Sequence, residues 1–160
     1  MPLDQRRLRP MTLDDLPAVM ALERLAHSHP WTEGIMRDCL KPGYSGKLLE
    51  WDGPLLGFGI WLMQLDECHI LNLCIDPSRQ RQGHGRYLLQ WMLRDAIALG
   101  ARMSLLEVRV NNRAAIALYE AMGYAEIGLR PGYYPSKQGR EDGLVMALDL
   151  QYLRALPETP

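Results

Sequence analysis

The chain has 160 residues, of which 48% are hydrophobic, so it is long and apolar enough to form one domain around a sizeable core. Its 18 Lys and Arg nearly balance its 19 Asp and Glu, which argues against a nucleic-acid-binding protein held by bulk charge. The 3 cysteines are odd in number and form no Cys-x-x-Cys pair, so we expect reduced thiols rather than a disulfide framework or a zinc site.

The ends of the chain and its uncharged runs predict a cytoplasmic protein. The N-terminus lacks the basic-then-apolar pattern of a secretory signal. The longest uncharged run, residues 53–65, is shorter than the roughly 20 residues that a membrane helix needs. We expect one domain over residues 1–153 and a flexible tail over residues 154–160. We expect no membrane and no direct nucleic-acid partner, and the sequence leaves the oligomeric state open.

The first third of the chain predicts a strand and two helices. Residues 6–10 are typical of an edge strand. Thr12 is expected to cap the first helix, with Asp15 as its capping-box partner. The His-Ser-His-Pro-Trp sequence at residues 27–31 ends that helix. Thr32 then caps a second, short helix, which the following Lys-Pro-Gly sequence ends.

Three strands come next. Residues 47–51 predict a strand, and the Asp-Gly pair after it is a strong hairpin turn. Residues 55–65 form the return strand, in which Gly57 and Gly59 indicate a bulge or a close approach of another chain segment. The nearly continuous apolar run over residues 68–75 is typical of a strand covered on both faces.

The rest of the chain alternates helices and strands. A helix is expected over about residues 85–99, a strand over 103–110 and a helix over 113–122. Residues 125–129 and 144–150 predict a final antiparallel pair, and the stretch that joins them is expected to be a loop. This order predicts a mixed α/β layered fold.

The segment at residues 80–86, Gln-Arg-Gln-Gly-His-Gly-Arg, lies between a buried strand and a helix N-terminus. Unpaired N–H groups and the helix dipole make such a junction an anion site. Gly83 and Gly85 allow a phosphate to approach the main chain, and Arg81 and Arg86 add positive charge. The segment therefore predicts a pyrophosphate-bearing ligand, although it lacks the third glycine of a dinucleotide fingerprint and the Gly-Lys of a Walker loop. An ordinary glycine turn is the alternative.

The Gln-x-x-Gly-x-Gly pattern after an Asp-Pro break resembles the acetyl-CoA loop of the GCN5-related N-acetyltransferases. This resemblance implies a mixed, mostly antiparallel central sheet flanked by helices. It also implies that the sheet splays apart beside the glycine loop to admit the pantetheine arm. Acetyl-CoA would be the cosubstrate, and no metal would be needed.

Further segments resemble the RimI-like group of that superfamily, which acetylates the N-terminal alanine of a small-subunit ribosomal protein. The matching segments are residues 29–33, 73–88, 106–109, 112–120, 123–124, 130–135 and 139–142. The resemblance therefore implies direct transfer of the acetyl group to a protein α-amine, with the N-terminus of a ribosomal protein as the partner.

The resemblance also implies roles for individual residues. Glu107 would accept a proton and Tyr119 would donate one. The residues that would bind acetyl-CoA are Leu73, Cys74, Ile75, Arg81, Gln82, Gly83, His84, Gly85, Arg86 and Asn112. Those expected to contact the acceptor peptide are Trp31, Tyr133 and Tyr134.

Structural explanations for the two proposed proton-transfer residues remain open. Glu107 lies on the polar face of an apolar strand, where it could pair with Arg109 or lie at a solvated strand end instead of acting as a general base. Tyr119 could be a core tyrosine with a satisfied hydroxyl rather than the acid that protonates a departing thiolate. Asn112 could simply cap the following helix.

Other reactive side chains are less favoured. Cys74 has no histidine placed in sequence to activate it as a nucleophile. His27 and His29 lack further ligands nearby, so we predict no metal site. The His-Pro-Trp sequence ending at Trp31 is expected to be a corner that packs against the substrate groove.

Three residues depart from the pattern of the RimI-like group. His84 fills the variable position of the glycine loop. Asn111 replaces the usual serine, and Gly132 replaces a polar residue before the tyrosine pair; these two leave the substrate range open. An acetyltransferase for a small-molecule amine is one alternative, and a catalytically silent acyl-CoA-binding module is another. The presence of both Glu107 and Tyr119 argues against the silent module.

Overall fold

The computed structural model describes residues 5–152, which contain seven strands and four α-helices in the predicted order. The strands are β1 (Arg6–Pro10), β2 (Tyr44–Trp51), β3 (Leu55–Gln64), β4 (Glu67–Ile75), β5 (Met103–Arg109), β6 (Ala125–Ser136) and β7 (Gly139–Asp149). The helices are α1 (Leu16–Ala26), α2 (Glu33–Asp38), α3 (His84–Ala98) and α4 (Arg113–Met122). The predicted tail over residues 154–160 lies outside the described residues.

All seven strands form one sheet in the order β1-β2-β3-β4-β5-β7-β6. Neighbouring strands are antiparallel except β4 and β5, which confirms the predicted mixed, mostly antiparallel sheet. One face packs against α1, where Val19 and Phe58 are fully buried. The other face packs against α3 and α4 around Leu88 and Met92. Within residues 5–152, each helix is too short or too polar to cross a lipid bilayer.

The helix ends follow the capping residues that the sequence predicts. The Asp15 carboxylate accepts a hydrogen bond from the Thr12 N–H (2.8 Å) and begins a 3-10 turn that leads into α1. Thr32 Oγ1 accepts a hydrogen bond from the Ile35 N–H (3.2 Å) and starts α2. Gly123 ends α4 with a φ of 105°, a backbone angle that favours glycine.

The parallel pair β4 and β5 holds together only over its first half. Its register runs from Glu67 opposite Met103 to Ile70 opposite Leu106. Beyond that point β4 pairs only with β3, and β5 pairs only with β7. The two strands therefore separate towards their C-terminal ends and leave unpaired main-chain groups in the gap, which is the splay expected from the sequence.

The two glycines of β3 mark close contacts, as predicted. A Cβ added at Gly57 would lie 2.6 Å from the Cys74 carbonyl oxygen. A Cβ added at Gly59 would collide with the Met92 side chain of α3. Glycine at these positions lets β3 lie against the end of β4 and lets α3 lie on the sheet.

The sequence predicts a loop over residues 130–143, and this prediction is wrong because β6 and β7 continue as a paired hairpin. The prolines and glycine that indicate a loop lie on the edge strand, where a missing N–H costs no ladder hydrogen bond. A register shift between Arg130 and Tyr134 accommodates the extra residues. The Gly132 N–H donates to Asp142 Oδ1 (2.8 Å), which holds this bulge against β7.

Candidate active site

A cavity of about 470 Å³, here called the loop cavity, opens where β4 and β5 separate. The end of β4, the glycine loop and the first turns of α3 and α4 form its walls. Nine of the ten residues predicted to bind the cosubstrate line it: Leu73, Cys74, Ile75, Arg81, Gly83, His84, Gly85, Arg86 and Asn112. Gln82 belongs to the same loop but lies outside this lining. The structure therefore brings almost the whole predicted set together.

The glycine loop has the backbone that an anion site needs. Gly83 precedes α3 with a φ of 82°, and Arg81 is also left-handed with a φ of 63°. A non-glycine residue in that region costs about 1 kcal/mol, so the surrounding structure holds the loop in place. Gln80 Nε2 donates to the Ile75 carbonyl (3.3 Å) and ties the loop to the end of β4. The first N–H groups of α3 have no intrahelical acceptor and remain available to a ligand.

His84 contributes to this loop through its main chain. Its imidazole is buried, meets the Trp51 ring edge-on at 5.2 Å and has Nδ1 3.5 Å from the Arg6 guanidinium. Burial lowers the pKa of His84, and the positive charges of Arg6 and Arg79 lower it further. The ring is therefore neutral at pH 7 and anchors the loop against β2.

The Cys74 thiol faces away from the loop cavity. Its side chain belongs to the core under α1, where Sγ lies 4.0 Å from the Leu22 carbonyl oxygen. Burial raises the pKa of the thiol to about 12, and the nearby carboxylates of Glu23 and Asp76 contribute. The thiol is thus a poor nucleophile, and β4 offers the cavity its main-chain groups at this position.

Glu23, His27 and Cys74 place possible metal-ligating atoms within 4.8 Å of one another. Both Glu23 carboxylate oxygens already accept hydrogen bonds, from the Trp31 N–H (2.9 Å) and from Asn72 Nδ2 (2.9 Å). Cys74 would bind zinc only as a thiolate, and burial raises its pKa to about 12, so these contacts favour a hydrogen-bonded cluster over a metal site. The absence of a metal stays a prediction.

Tyr119 lies on α4 and lines the loop cavity with a side chain that is 8% exposed. Its ring packs against Tyr124 at a centroid distance of 5.7 Å. Burial raises the pKa of Tyr119 to about 12, and the neighbouring Tyr134 hydroxyl adds to the effect. Asn112 caps α4 by accepting a hydrogen bond from the Ala115 N–H (3.2 Å), and it lines the same cavity.

Glu107 opens onto a second cavity of about 490 Å³, here called the tyrosine cavity, together with Trp31, Tyr133 and Tyr134. Its carboxylate pairs with Arg130 (3.2 Å) rather than with Arg109, the partner considered from the sequence. A hydrogen bond with Glu107 raises the pKa of Tyr133. The carboxylate is 28% exposed and lies beside all three residues predicted to contact the acceptor.

Arg109 holds the β6–β7 hairpin instead. Its Nη1 donates to the Pro135 carbonyl (2.6 Å) and to Glu141 Oε1 (3.1 Å). Its guanidinium also lies 4.7 Å from the centre of the Tyr134 ring. Arg109 thus positions the tyrosine that stands between Glu107 and the loop cavity.

A third cavity of about 550 Å³, here called the connecting cavity, joins the other two. It shares Trp31, Leu71 and Tyr134 with the tyrosine cavity. It shares His27 and Asn112 with the loop cavity. The three cavities therefore adjoin one another across the splayed sheet and are here together called the groove. The proposed base Glu107 and the proposed acid Tyr119 both lie near Tyr134.

The sequence matches the acetyltransferase (GNAT) family over residues 16–124. The chain belongs to this family. Acetyltransferases of the family use acetyl-CoA, the cosubstrate predicted from the glycine loop. These findings confirm the family and the fold class predicted from the sequence and identify the chain as an acetyltransferase.

Several relatives carry a more specific name. The [ribosomal protein bS18]-alanine N-acetyltransferase of Escherichia coli K12 is 40% identical over 136 residues, which cover 85% of this chain and 92% of that protein. The enzyme of the same name from Haemophilus influenzae is 34% identical over 134 residues, or 83% of this chain and 91% of its own. The crystal structure of the ribosomal-protein-S18-alanine N-acetyltransferase from Escherichia coli has a TM-score of 0.87, at 36% identity over 97% of this chain and 99% of that one.

Sequence reasoning assigned no role to several residues of this acetyltransferase groove. Arg130 and Glu141 lie in the segment predicted to be a loop, so nothing indicated which strands they would face. Glu23 lies on the apolar face of α1, four residues after Val19. A charged residue on an apolar helix face is a sequence signal that could have identified Glu23. Asn72 is likewise a polar residue inside an apolar strand.

Proposed function

We propose that this acetyltransferase transfers the acetyl group of acetyl-CoA directly to the N-terminal α-amine of a protein, with the N-terminal alanine of a small-subunit ribosomal protein as its natural acceptor. The observation that carries the proposal is that the loop cavity adjoins the connecting cavity, which in turn adjoins a tyrosine-lined cavity with Glu107 at its wall. The names of the relatives that are 34–40% identical supply the acceptor.

Acetyl-CoA would occupy the loop cavity. Its pyrophosphate would bind the N–H groups from Arg81 to Arg86, because the helix dipole and the arginine side chains there favour negative charge. The pantetheine arm would lie between the separated strands and use the main chain of Leu73 to Ile75. Asn112 would bound the other side, and Gln82 would contribute only from the outer side of the loop.

The acceptor peptide would enter through the tyrosine cavity. Trp31 forms one wall and the pair Tyr133 and Tyr134 forms the other, so an extended N-terminus fits between them with its amine towards Glu107. Arg130 already satisfies part of the Glu107 charge, and the incoming ammonium group would compete for the same carboxylate.

The reaction would then be a direct transfer without an acyl-enzyme. A protein α-amine has a pKa near 8, so about a tenth of it is already neutral at pH 7, and Glu107 would take the proton from the rest. The amine nitrogen would attack the thioester carbonyl, and the N–H groups at the open end of β4 would stabilise the oxyanion. Collapse of the tetrahedral intermediate would break the carbon–sulfur bond and form the amide as the nitrogen releases its second proton to solvent.

Tyr119 would protonate the departing sulfur. Its pKa of about 12 keeps the phenol protonated, but in water the thiolate of a thiol with a pKa near 8.5 would be a weak base for that proton. Partial desolvation of the cavity would raise the pKa of a thiolate released there, which would favour its protonation by Tyr119.

Thiol release from acetyl-CoA with a panel of amines tests the proposal. The panel contains an Ala-Arg peptide, the same peptide blocked at its N-terminus, a peptide with an internal lysine, and spermidine. Release with the free alanine terminus alone supports the proposal. Release with spermidine alone would establish a small-molecule acetyltransferase instead, and tight acetyl-CoA binding without any release would establish a silent binding module.

A further inference from the structure

Glu23 is a buried carboxylate to which the proposed reaction gives no task. The residue is 1% exposed, and its partners come from two separate stretches of chain, the segment after α1 and strand β4. Oε2 accepts from the Trp31 N–H (2.9 Å), and Oε1 accepts from Asn72 Nδ2 (2.9 Å). His27 Nε2 lies 3.4 Å from Oε1.

These partners stand at the two sides of the groove. Trp31 lines both the tyrosine cavity and the connecting cavity. Asn72 lies in β4 directly after a bulge, in which Leu71 has no partner residue in β3. It is followed directly by Leu73, the first main-chain position of the loop cavity. One carboxylate thus joins the acceptor wall to the cosubstrate wall.

The position of the segment between α1 and α2 depends on the Glu23 carboxylate. Residues 27–32 form no strand or helix, so no hydrogen bonds of a sheet fix their position. The end of β4, in contrast, also pairs with β3 through Leu73, Cys74 and Ile75. Loss of the Glu23 contacts should therefore move the acceptor wall far more than the cosubstrate wall.

Burying a carboxylate costs desolvation free energy, and an apolar residue of similar size would fill the same core position without that cost. Glu23 is too enclosed to be a base, because both oxygens are occupied and the side chain is 2% exposed. We propose that Glu23 is a positioning residue that sets Trp31, and with it the acceptor-peptide site, relative to bound acetyl-CoA. This inference rests on the proposed N-terminal acetyltransferase function.

The test compares Glu23→Leu with Glu23→Gln, using the Ala-Arg peptide as the acceptor. Leucine removes both acceptors, so we expect the peptide KM to rise at least tenfold while the Kd of acetyl-CoA changes less than threefold. Glutamine can still accept from the Trp31 N–H, and the Asn72 amide can turn to accept from its NH₂ group. We therefore expect Glu23→Gln to restore the peptide KM to within about threefold of the wild-type value.

Val19→Ala is the matched control, because Val19 is fully buried on the same helix one turn earlier. It should lower Tm without changing the peptide KM. If Glu23→Leu does not yield folded protein, Asn72→Leu tests the same cluster with α1 intact and should also raise the peptide KM selectively. An unchanged KM in the folded variant, or a parallel loss of peptide and acetyl-CoA affinity, would overturn the inference. No turnover of any peptide by the wild-type protein would instead overturn the proposed function, and the inference with it.

Discussion

Replacing Glu107 by glutamine should lower kcat strongly while it lowers the stability of the fold only slightly. The carboxylate and its partner Arg130 are 28% and 54% exposed, so their ion pair contributes at most about 1 kcal/mol to the free energy of unfolding. For a chain of this length, that loss corresponds to roughly 3 °C in Tm. Loss of a general base costs about 10²- to 10⁴-fold in kcat, or about 2.7–5.4 kcal/mol of activation free energy.

The assay follows thiol release from acetyl-CoA with the Ala-Arg peptide between pH 6 and 9. Without its base, the Glu107→Gln enzyme depends on amine that is already neutral, so its rate should rise about tenfold per pH unit below pH 8. Acetyl-CoA affinity should not change, because Glu107 faces the tyrosine cavity. Glu126→Gln makes the same charge change on the exposed edge strand and should have no effect. Wild-type turnover by Glu107→Gln at every pH would refute the assignment of the base.

Three further predictions test the acid, the N-terminal ion pair and the glycine contact. Tyr119→Phe should lower kcat about 10- to 100-fold with unchanged acetyl-CoA affinity, and an unchanged rate of thiol release would make Tyr119 a core residue only. Hydrogen bonds from Arg9 lower the pKa of Asp15 to about 2, so this stabilisation is present above pH 4 and is lost as the pH falls towards 2. Asp15→Asn should therefore lower the free energy of unfolding by about 1–2 kcal/mol at pH 7, as measured by urea titration. This value allows for the screening of the half-exposed Arg9 by solvent. The difference between the variant and the wild-type protein should disappear near pH 2. Gly57→Ala should lower the free energy of unfolding by about 1–3 kcal/mol and weaken acetyl-CoA binding. Gly34→Ala is the control and should have neither effect, because its new Cβ would lie 3.8 Å from the nearest neighbouring atom. Equal Tm values for the two variants would contradict this prediction.

Local signals in the sequence were sufficient to predict most of the helices and strands and the glycine loop. Thr32 and Asn112 begin helices where predicted, because each side-chain oxygen accepts a hydrogen bond from the N–H three residues on, a contact that depends only on local sequence. At Thr12 the local contact is the reverse one, in which the Asp15 carboxylate accepts from the Thr12 N–H. The glycine loop was identifiable for the same reason, since its function depends on a short stretch of backbone.

The acceptor side of the groove was harder to predict because it depends on strand pairing. Proline and glycine between residues 130 and 143 indicate a loop, and only the sheet order shows that they lie on an edge strand where both are tolerated. The partner of Glu107 follows from this error. Arg109 is two residues away along β5, but Arg130 lies in the part of β6 that continues beyond the strand predicted over residues 125–129.

The burial of Cys74 has a consequence for the chemical durability of the protein. Its main chain borders the site proposed for a reactive thioester and, after each turnover, for a free thiol. Burial raises the pKa of Cys74 to about 12, so its thiol is almost entirely un-ionised at pH 7.5. Cys39 and Cys68 are also buried, with pKa values raised to about 11 and about 12. Since the un-ionised thiol is the unreactive form, these three buried cysteines are poor targets for acylation by acetyl-CoA and for mixed disulfides with coenzyme A.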